Sequence, residues 1–230
     1  APEFKEKDRD LIAWYNREVK RYDAIKIHMN TEVKDIASLG ADEVIIATGS
    51  VANKIPLPGA DKAIEAVDFL LDNSLVGDNV VVIGGGETAS DCIGVSVRKG
   101  AKSVTQLDYH DELPESVDPA VAWPDWRKIK RTSTSHEEGC TRMFSTNTTA
   151  FTGKDKLEAV QTQKVKWGVG RQFSGIEGTQ SSIDADVVLI AMGYSHPSSA
   201  LIKEFNLETD KRGNIKASVE GPDAYRTSNK

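Results

Sequence analysis

Three consecutive glycines, Gly84, Gly85 and Gly86, have the type and spacing that could hold a pyrophosphate. An anionic pyrophosphate needs close backbone approach, and a glycine turn at a helix N-terminus offers free N–H groups and the favourable end of the helix dipole. Gly84 and Gly86 hold the first two positions of the G-x-G-x-x-G/A pattern, and after Glu87 and Thr88 the third position is Ala89. The alternative is a glycine-rich strand-to-helix turn of purely structural use.

The elements around the turn supply the context that this pattern requires. We predict an apolar strand over residues 80–83, a helix from the turn to about Lys99 with Gly100 just after its end, and a strand over 103–107. Strand, turn, helix and strand together have the size of a βαβ unit, roughly 30 residues. The predicted fold class is therefore α/β, with a Rossmann-like βαβ nucleotide-binding domain.

Asp108 follows Gly86 by 22 residues and ends the second strand of this unit. An acid at this position accepts hydrogen bonds from both ribose hydroxyls and repels a 2′-phosphate, whereas arginine would attract one. Tyr109 and His110 come next, with no Arg or Lys nearby, so the sequence favours NAD(H) over NADP(H). In the alternative interpretation, Asp108 starts a solvated turn with the acidic residues that follow.

The other titratable residues form no recognisable catalytic or metal-binding pattern. Glu87 lies in the first turn of the predicted helix, where its charge favours the helix dipole. Cys92 and Cys140 form no CxxC pair, which disfavours a dithiol or zinc site. His136, followed by two glutamates, could suggest acid–base chemistry, but a surface loop is favoured. No metal site is predicted, and no catalytic residue is assigned.

Composition narrows the class of protein further. The chain has 230 residues, 39% apolar and 28% charged, with a formal net charge of −6. This acidic balance argues against nucleic-acid and anionic membrane surfaces as partners. No apolar run reaches the length of a membrane span, and the first residues lack the pattern of a signal peptide. We expect a cytoplasmic protein with reduced thiols.

Other segments are predicted to flank the βαβ unit. The spacing of apolar residues predicts a helix over 8–22, with Asp8 as its N-cap, and another over 61–71. Strands are predicted over 25–29, 44–49 and 185–193, and residues 110–142 are read as loop plus a short helix. Short strands with glycine turns over 143–167 and 173–180 predict an antiparallel β-meander.

The sequence resembles the FAD- and NAD(P)H-dependent pyridine nucleotide oxidoreductase superfamily. Residues from about 77 to 230 resemble the small (beta) subunit of glutamate synthase, through VVVIGGGETASDCIGVSVRKGAKSVTQLD, Trp123-Pro124-Asp125-Trp126, His136-Glu137-Glu138 and ADVVLIAMGY. Residues 1–76 resemble the C-terminal region of 2,4-dienoyl-CoA and enoate reductases, through FKEKDRDLIAWYNREVKRYDAIKIHMNTEVKDI and ADEVIIATGSVANKIPLPG. In this superfamily an NAD(P)H domain interrupts an FAD domain.

The resemblance implies a function and a domain plan. Hydride would pass from the nicotinamide to FAD, and electrons then to a partner domain or subunit that carries an iron–sulfur cluster or FMN. The implied domains are a partial FAD-binding domain over 1–58, an NAD(P)H-binding domain over 59–192 and a return to the FAD-binding domain over 193–230. The two crossings would be Ala47-Thr48-Gly49, near the FAD, and Ala191-Met192-Gly193.

This chain departs from the family pattern at the FAD site, which we expect to be incomplete. The family's FAD fingerprint would precede residue 1, its C-terminal FAD segment would follow Lys230, and no cysteine cluster for iron–sulfur occurs. Two alternatives to an electron-input domain of glutamate synthase type therefore stay open. One is the C-terminal domain of an iron–sulfur flavin ene-reductase, and the other is a non-catalytic nucleotide-binding fragment.

Overall fold

The computed structural model describes residues 5–72, 74, 77–122 and 128–228. The Trp123-Pro124-Asp125-Trp126 segment lies outside these residues. The helices are α1 (Glu6–Glu18), α2 (Ala66–Leu71), α3 (Glu87–Arg98), α4 (Pro119–Ala122), α5 (Thr134–Glu137) and α6 (Ser199–Glu204). The strands are β1 (Val51–Ala52), β2 (Ile64–Glu65), β3 (Asn79–Ile83), β4 (Ser103–Leu107), β5 (Thr141–Met143), β6 (Thr146–Thr152), β7 (Ala159–Trp167), β8 (Phe173–Gly175), β9 (Ser181–Asp184), β10 (Val187–Ile190) and β11 (Tyr194–Ser195).

Contacts within the chain define two compact units. One comprises residues 54–193 and is called the central unit; the other comprises the described residues of 5–53 and 194–228 and is called the flanking unit. The central unit contains α2 to α5 and the strands from β2 to β10. The flanking unit contains α1, α6 and the antiparallel pair of β1 with β11.

A parallel sheet in the order β2-β10-β3-β4-β5 forms the framework of the central unit. Its middle strands are buried on both faces, which accounts for their continuous apolar sequence. On one face α3 packs through Ala89, Cys92 and Ile93, all fully buried. The other face carries the core cluster that includes Val81, Val188 and, from the antiparallel sheet, Val160.

The antiparallel meander is confirmed, with its start displaced. Strand β7 pairs with β6, β8 and β9, all antiparallel. Met143, which the sequence placed at the start of the meander, instead ends β5 and pairs with Leu107 in the parallel sheet. The α/β fold class with a parallel sheet and antiparallel strands is thus as the sequence predicted.

Local sequence signals predicted the end of α3 correctly but the start of α1 wrongly. The prediction that Gly100 follows the end of α3 is confirmed: Gly100 adopts a φ of 93°, its N–H donates to the carbonyl of Val97 (3.0 Å), and Ala101 N–H donates to Ser96 (3.1 Å). This is the Schellman pattern of helix termination. The prediction of Asp8 as the N-cap of α1 is wrong, because the helix begins at Glu6 after Lys5. Asp8 lies instead in the first turn, where its charge suits the dipole.

Two further segment predictions are wrong, and a third is confirmed only in part. Residues 25–29 and 44–49 form no strand, and Ile45 is 90% exposed. In the described part of the flanking unit the only strands, β1 and β11, pair with each other, so the apolar run has no neighbour to complete its hydrogen bonds. The helix predicted over 61–71 begins only at Ala66, because the two preceding residues form β2 against β10.

Candidate functional site

The glycine turn lies at the carboxyl end of β3, between β10 and β4 in the sheet. The chain leaves β3 toward β4 and β5 on one side, while β10 and β2 lie on the other side. The strand order therefore reverses beside β3, which is where open α/β sheets bind ligands. Gly84, Asp108 and Ala191 directly follow β3, β4 and β10 and meet at this edge.

Gly84 and Gly85 are explained by contacts within the protein. Gly84 has a φ of 134°, a backbone angle that residues with a side chain rarely adopt, and a Cβ there would overlap the carbonyl oxygen of Ala191. A Cβ at Gly85 would overlap the carboxylate of Asp108. These two glycines therefore let the turn pack closely against the ends of β10 and β4.

Gly86 has no such explanation inside the protein. It is the N-cap of α3, with φ −95° and ψ −174°, an extended conformation open to any residue. Among the described residues, nothing lies within 4 Å of the position that its Cβ would occupy. The glycine therefore leaves an open space at the start of the helix, where a ligand group can reach the backbone.

The start of α3 has the electrostatics of an anion site. The first N–H groups of a helix have no acceptor within it, and Gly86 has no side chain to cap them. Glu87 and Thr88 form the first turn, and Ala89 is fully buried, as the third position of the pattern requires. The helix dipole and the free N–H groups favour an anion here, against the opposing charge of Glu87.

Asp108 lies against the turn with its side chain only 17% exposed. Its Oδ1 accepts hydrogen bonds from the backbone N–H and the Nδ1 of His110, both at 2.9 Å. Its backbone N–H donates to the carbonyl of Met143. The carboxylate also lies against Gly85, where a Cβ would overlap it, and a role of Asp108 in nucleotide binding stays a prediction.

Sequence reasoning missed an aromatic cluster beside Asp108. The rings of His110 and Trp167 stack with their centroids 5.4 Å apart. The ring of Tyr109 lies 5.7 Å from that of Trp167 and 5.7 Å from that of Phe173, and the last two rings are 5.3 Å apart. The indole N–H of Trp167 donates to the carbonyl of Tyr109 (2.9 Å), which fixes the end of β7 beside that of β4. Phe173 is exposed. The cluster joins residues far apart in sequence, so no local pattern indicated it.

The preference for His136 as a residue of a surface loop was wrong. The side chain is half-buried, and its Nε2 lies 3.1 Å from Oε1 of Gln106, a buried residue of β4. Its Nδ1 accepts from the backbone N–H of Ser133 (3.0 Å). Burial lowers the pKa of His136, and the Arg142 guanidinium lowers it further, against an opposing contribution from Glu87. The one sequence signal was Gln106 itself, an amide inside a predicted strand of the βαβ unit.

The two predicted crossing segments lie in different units. Ala191 belongs to the central unit, where its N–H donates to the carbonyl of Ile83 (2.8 Å), and Met192 packs against the core cluster. Gly193 has a φ of 77°. By contrast, Ala47, Thr48 and Gly49 are exposed residues of the flanking unit.

Both cysteines are free thiols. Burial raises the pKa of Cys92 to about 12, with a smaller contribution from Asp91, and burial also raises the pKa of Cys140. Over the described residues, no group of three or more His, Cys, Asp or Glu side chains could hold a metal ion. No helix in that part of the chain has the length and apolar character to cross a membrane.

Comparison with known proteins identifies a family that matches nearly the whole chain and relatives that match parts of it. The model of the family "Pyridine nucleotide-disulphide oxidoreductase" matches residues 2–228. "Glutamate synthase [NADPH] small chain" of Mycobacterium tuberculosis is 32% identical to this chain, and the match covers 76% of this chain and 40% of that protein. "Glutamate synthase [NADH]" of Schizosaccharomyces pombe is 30% identical over 90% of this chain and 11% of its own.

A further curated relative and a solved structure are also similar to this chain. "Cinnamate reductase" of Clostridium sporogenes is 34% identical over 49% of this chain and 17% of its own. The structure of Mycobacterium tuberculosis FprA in complex with NADPH has a TM-score of 0.55 and 19% identity, and the match covers 74% of this chain and 55% of that one. This likeness concerns the fold. The chain spans less than half the length of these three curated relatives.

Proposed function

Because the chain belongs to the pyridine nucleotide-disulphide oxidoreductase family, we propose that its central unit binds a nicotinamide dinucleotide at the glycine turn. The pyrophosphate would lie at the N-terminus of α3, over Gly86. The observation that carries this proposal is the open space at Gly86, where neither backbone conformation nor packing requires glycine. A bound pyrophosphate accounts for that space, since it needs backbone N–H groups within reach and no side chain between.

The test is the Gly86→Val variant. Valine suits the extended backbone at this position, and its Cβ would have no described protein atom within 4 Å, so the fold is expected to persist. Its side chain would occupy the place of the pyrophosphate, and we expect no measurable NADH or NADPH binding by calorimetry. Gly168→Val is the matched control, because Gly168 is an extended glycine whose Cβ would have one described atom within 4 Å, the carbonyl oxygen of Gln172 at 3.7 Å. If the folded Gly86→Val variant bound the nucleotides with unchanged affinity, the proposed site at the glycine turn would be wrong.

We propose that this nucleotide site is the electron-input part of a flavin-dependent oxidoreductase, as in a glutamate synthase beta chain. Support comes from the family and from the relatives named glutamate synthase. Residues 59–192 would form the NAD(P)H-binding domain, with 1–58 and 193–230 belonging to an FAD-binding domain. Contacts divide the chain close to these boundaries.

The described residues of the flanking unit do not by themselves make a pyrophosphate cradle for FAD. In that part of the chain α1 begins after Lys5 and α6 after Ser198, neither at a glycine turn. We therefore propose that FAD binding needs further protein, and that a partner domain or subunit carries the iron–sulfur or FMN centre. The small fraction of each relative's length that this chain matches is consistent with that plan.

For the nucleotide, we propose a preference for NAD(H) over NADP(H). Asp108 supports this, because its carboxylate lies at the end of β4 beside Gly85, the position expected for contact with the adenosine ribose. The names of the relatives include both NADPH and NADH, so the preference depends on this side chain alone.

A second candidate function is the nucleotide-binding domain of an ene-reductase, which the likeness to cinnamate reductase favours. The visible flavin absorption of the purified protein distinguishes an oxidoreductase from a non-catalytic nucleotide-binding fragment. A flavin band that NADH bleaches supports an oxidoreductase. A colourless chain that binds NADH is also expected if FAD binding needs further protein, so the flavin band must then be sought in the longer protein; a longer protein that binds NADH and stays colourless supports nucleotide binding without turnover.

A further inference from the structure

We infer that Gln106, held in one orientation by His136 and Arg142, is a positioning residue that aims the N–H of Gly85 at the dinucleotide pyrophosphate. The inference rests on the proposed nucleotide site and adds to it side chains that do not belong to the glycine pattern. All of the residues involved lie in the central unit.

The first step concerns the peptide between Gly84 and Gly85. The carbonyl oxygen of Gly84 accepts a hydrogen bond from Nε2 of Gln106 at 2.8 Å, and the N–H of Gly84 donates to the carbonyl of Leu107 at 2.9 Å. A trans peptide is planar, with its C=O and N–H pointing in opposite directions. Fixing the Gly84 carbonyl toward Gln106 therefore fixes the Gly85 N–H in the opposite direction, away from β4.

The second step explains why Gln106 presents its NH₂ group to Gly84 rather than its oxygen. Its Oε1 lies 3.0 Å from Nε of Arg142, and a guanidinium can only donate. The same oxygen lies 3.1 Å from Nε2 of His136. With Oε1 bound to these two donors, the NH₂ group must face the Gly84 carbonyl. At 2% exposure Gln106 is shielded from bulk solvent, so its amide depends on these partners within the protein.

The third step fixes the tautomer of His136. The backbone N–H of Ser133 points at Nδ1, so this nitrogen accepts and the proton of the neutral ring is on Nε2. Nε2–H then donates to Gln106. The hydroxyl of Ser133 in turn contacts that of Ser90, one helical turn after Gly86 in α3, so the same network reaches the turn from the helix side.

The network thus has a polarity that runs from donors to the turn. Arg142 and His136 donate to Gln106, Gln106 donates to Gly84, and the Gly84 peptide presents the Gly85 N–H. Such preorganised donors bind an anion without a cost for reorientation when it arrives. A substitution in the network should therefore weaken binding of the pyrophosphate more than it weakens the fold.

The experiment measures the Kd of NADH and NADPH by calorimetry, and the thermal midpoint, for the full chain and four variants. Gln106→Met keeps the length of the side chain and adds no charge but releases the Gly84 carbonyl, so we expect about tenfold weaker binding. His136→Leu removes one donor to Oε1 and should weaken binding less, about threefold. His136→Gln restores an amide donor and should recover most of that loss.

Thr162→Val is the control for a structural effect, because its buried hydroxyl bonds to Ser181 in the antiparallel sheet, away from the turn. It should lower the thermal midpoint and leave Kd unchanged. If Gln106→Met lowers the midpoint in the same way while Kd stays within about twofold, the positioning role is wrong. If that variant does not fold, the His136→Leu and His136→Gln pair decides. A native protein that binds neither nucleotide would overturn the proposed function, and this inference with it.

Discussion

Replacing Asp108 by asparagine isolates the charge through which we expect this protein to distinguish NADH from NADPH. Asparagine has nearly the same shape and still offers an oxygen to the two hydrogen bonds from His110. The contact of the side chain with Gly85 is therefore preserved. What changes is one negative charge beside the expected ribose position.

The size of the effect follows from Coulomb's law. Asp108 is only 17% exposed, so solvent screens its charge incompletely. At a separation of about 5 Å and an effective dielectric constant of about 40, a pair of unit charges interacts by about 1.7 kcal/mol. A 2′-phosphate carries between one and two charges near neutral pH, which gives roughly 2 kcal/mol of repulsion relieved and a gain of about thirtyfold for NADPH.

The assay is calorimetric titration of the native protein and the variant with each nucleotide at fixed ionic strength. We expect the ratio of the two Kd values to move toward NADPH by about thirtyfold, with NADH itself bound somewhat more weakly. Asp111→Asn is the matched control, because it removes the same charge three residues later, where the carboxylate bonds to Ser145. Asp108→Arg should move the ratio further.

Two results would refute the role of Asp108. An unchanged ratio in Asp108→Asn would mean that the carboxylate does not face the ribose. An equal shift in Asp111→Asn would mean that the overall charge of the loop, and not this contact, governs the choice.

Two other predictions concern groups whose pKa is shifted by burial, the cysteine thiols and the imidazole of His136. Cys140 should be alkylated by iodoacetamide well before Cys92, whose thiol is fully buried with a pKa of about 12, and equal rates by mass spectrometry in the native protein would contradict the burial of α3. His136 has a folded-state pKa below that of the unfolded chain, about 6.5, so the unfolded state binds its proton first. The unfolding free energy should therefore be unaffected by this group above that pH and decrease as the pH falls through it, and His136→Gln should flatten this part of the profile.

The sequence predicted the parts of the fold that local pattern determines. Each of these elements has its own sequence signal. Strand β3 is a continuous apolar run, the turn consists of glycines, and Gly100 marks the end of α3. Because these signals agree with one another, the turn could be placed between a strand and a helix of a βαβ unit before the neighbouring strands were known.

The failures came from residues whose state depends on distant partners. Residues 44–49 have the composition of a buried strand, but a strand forms only beside another, and no described strand pairs with them. His136 resembled a loop residue because Gln106, the residue that it contacts, is 30 positions away in sequence. Neither the aromatic cluster nor this network has a period or a motif that sequence reasoning could have detected.

The short β1–β11 pair places Val51 opposite Ser195 and Ala52 opposite Tyr194. The polypeptide therefore departs toward residue 54 and comes back after residue 193 through adjacent points. A segment anchored in this way is a cassette: related versions can be exchanged at those two junctions without lengthening the chain on either side. Under the proposed function, such an exchange would replace the nucleotide site as one block, while the rest of the chain keeps its own connections.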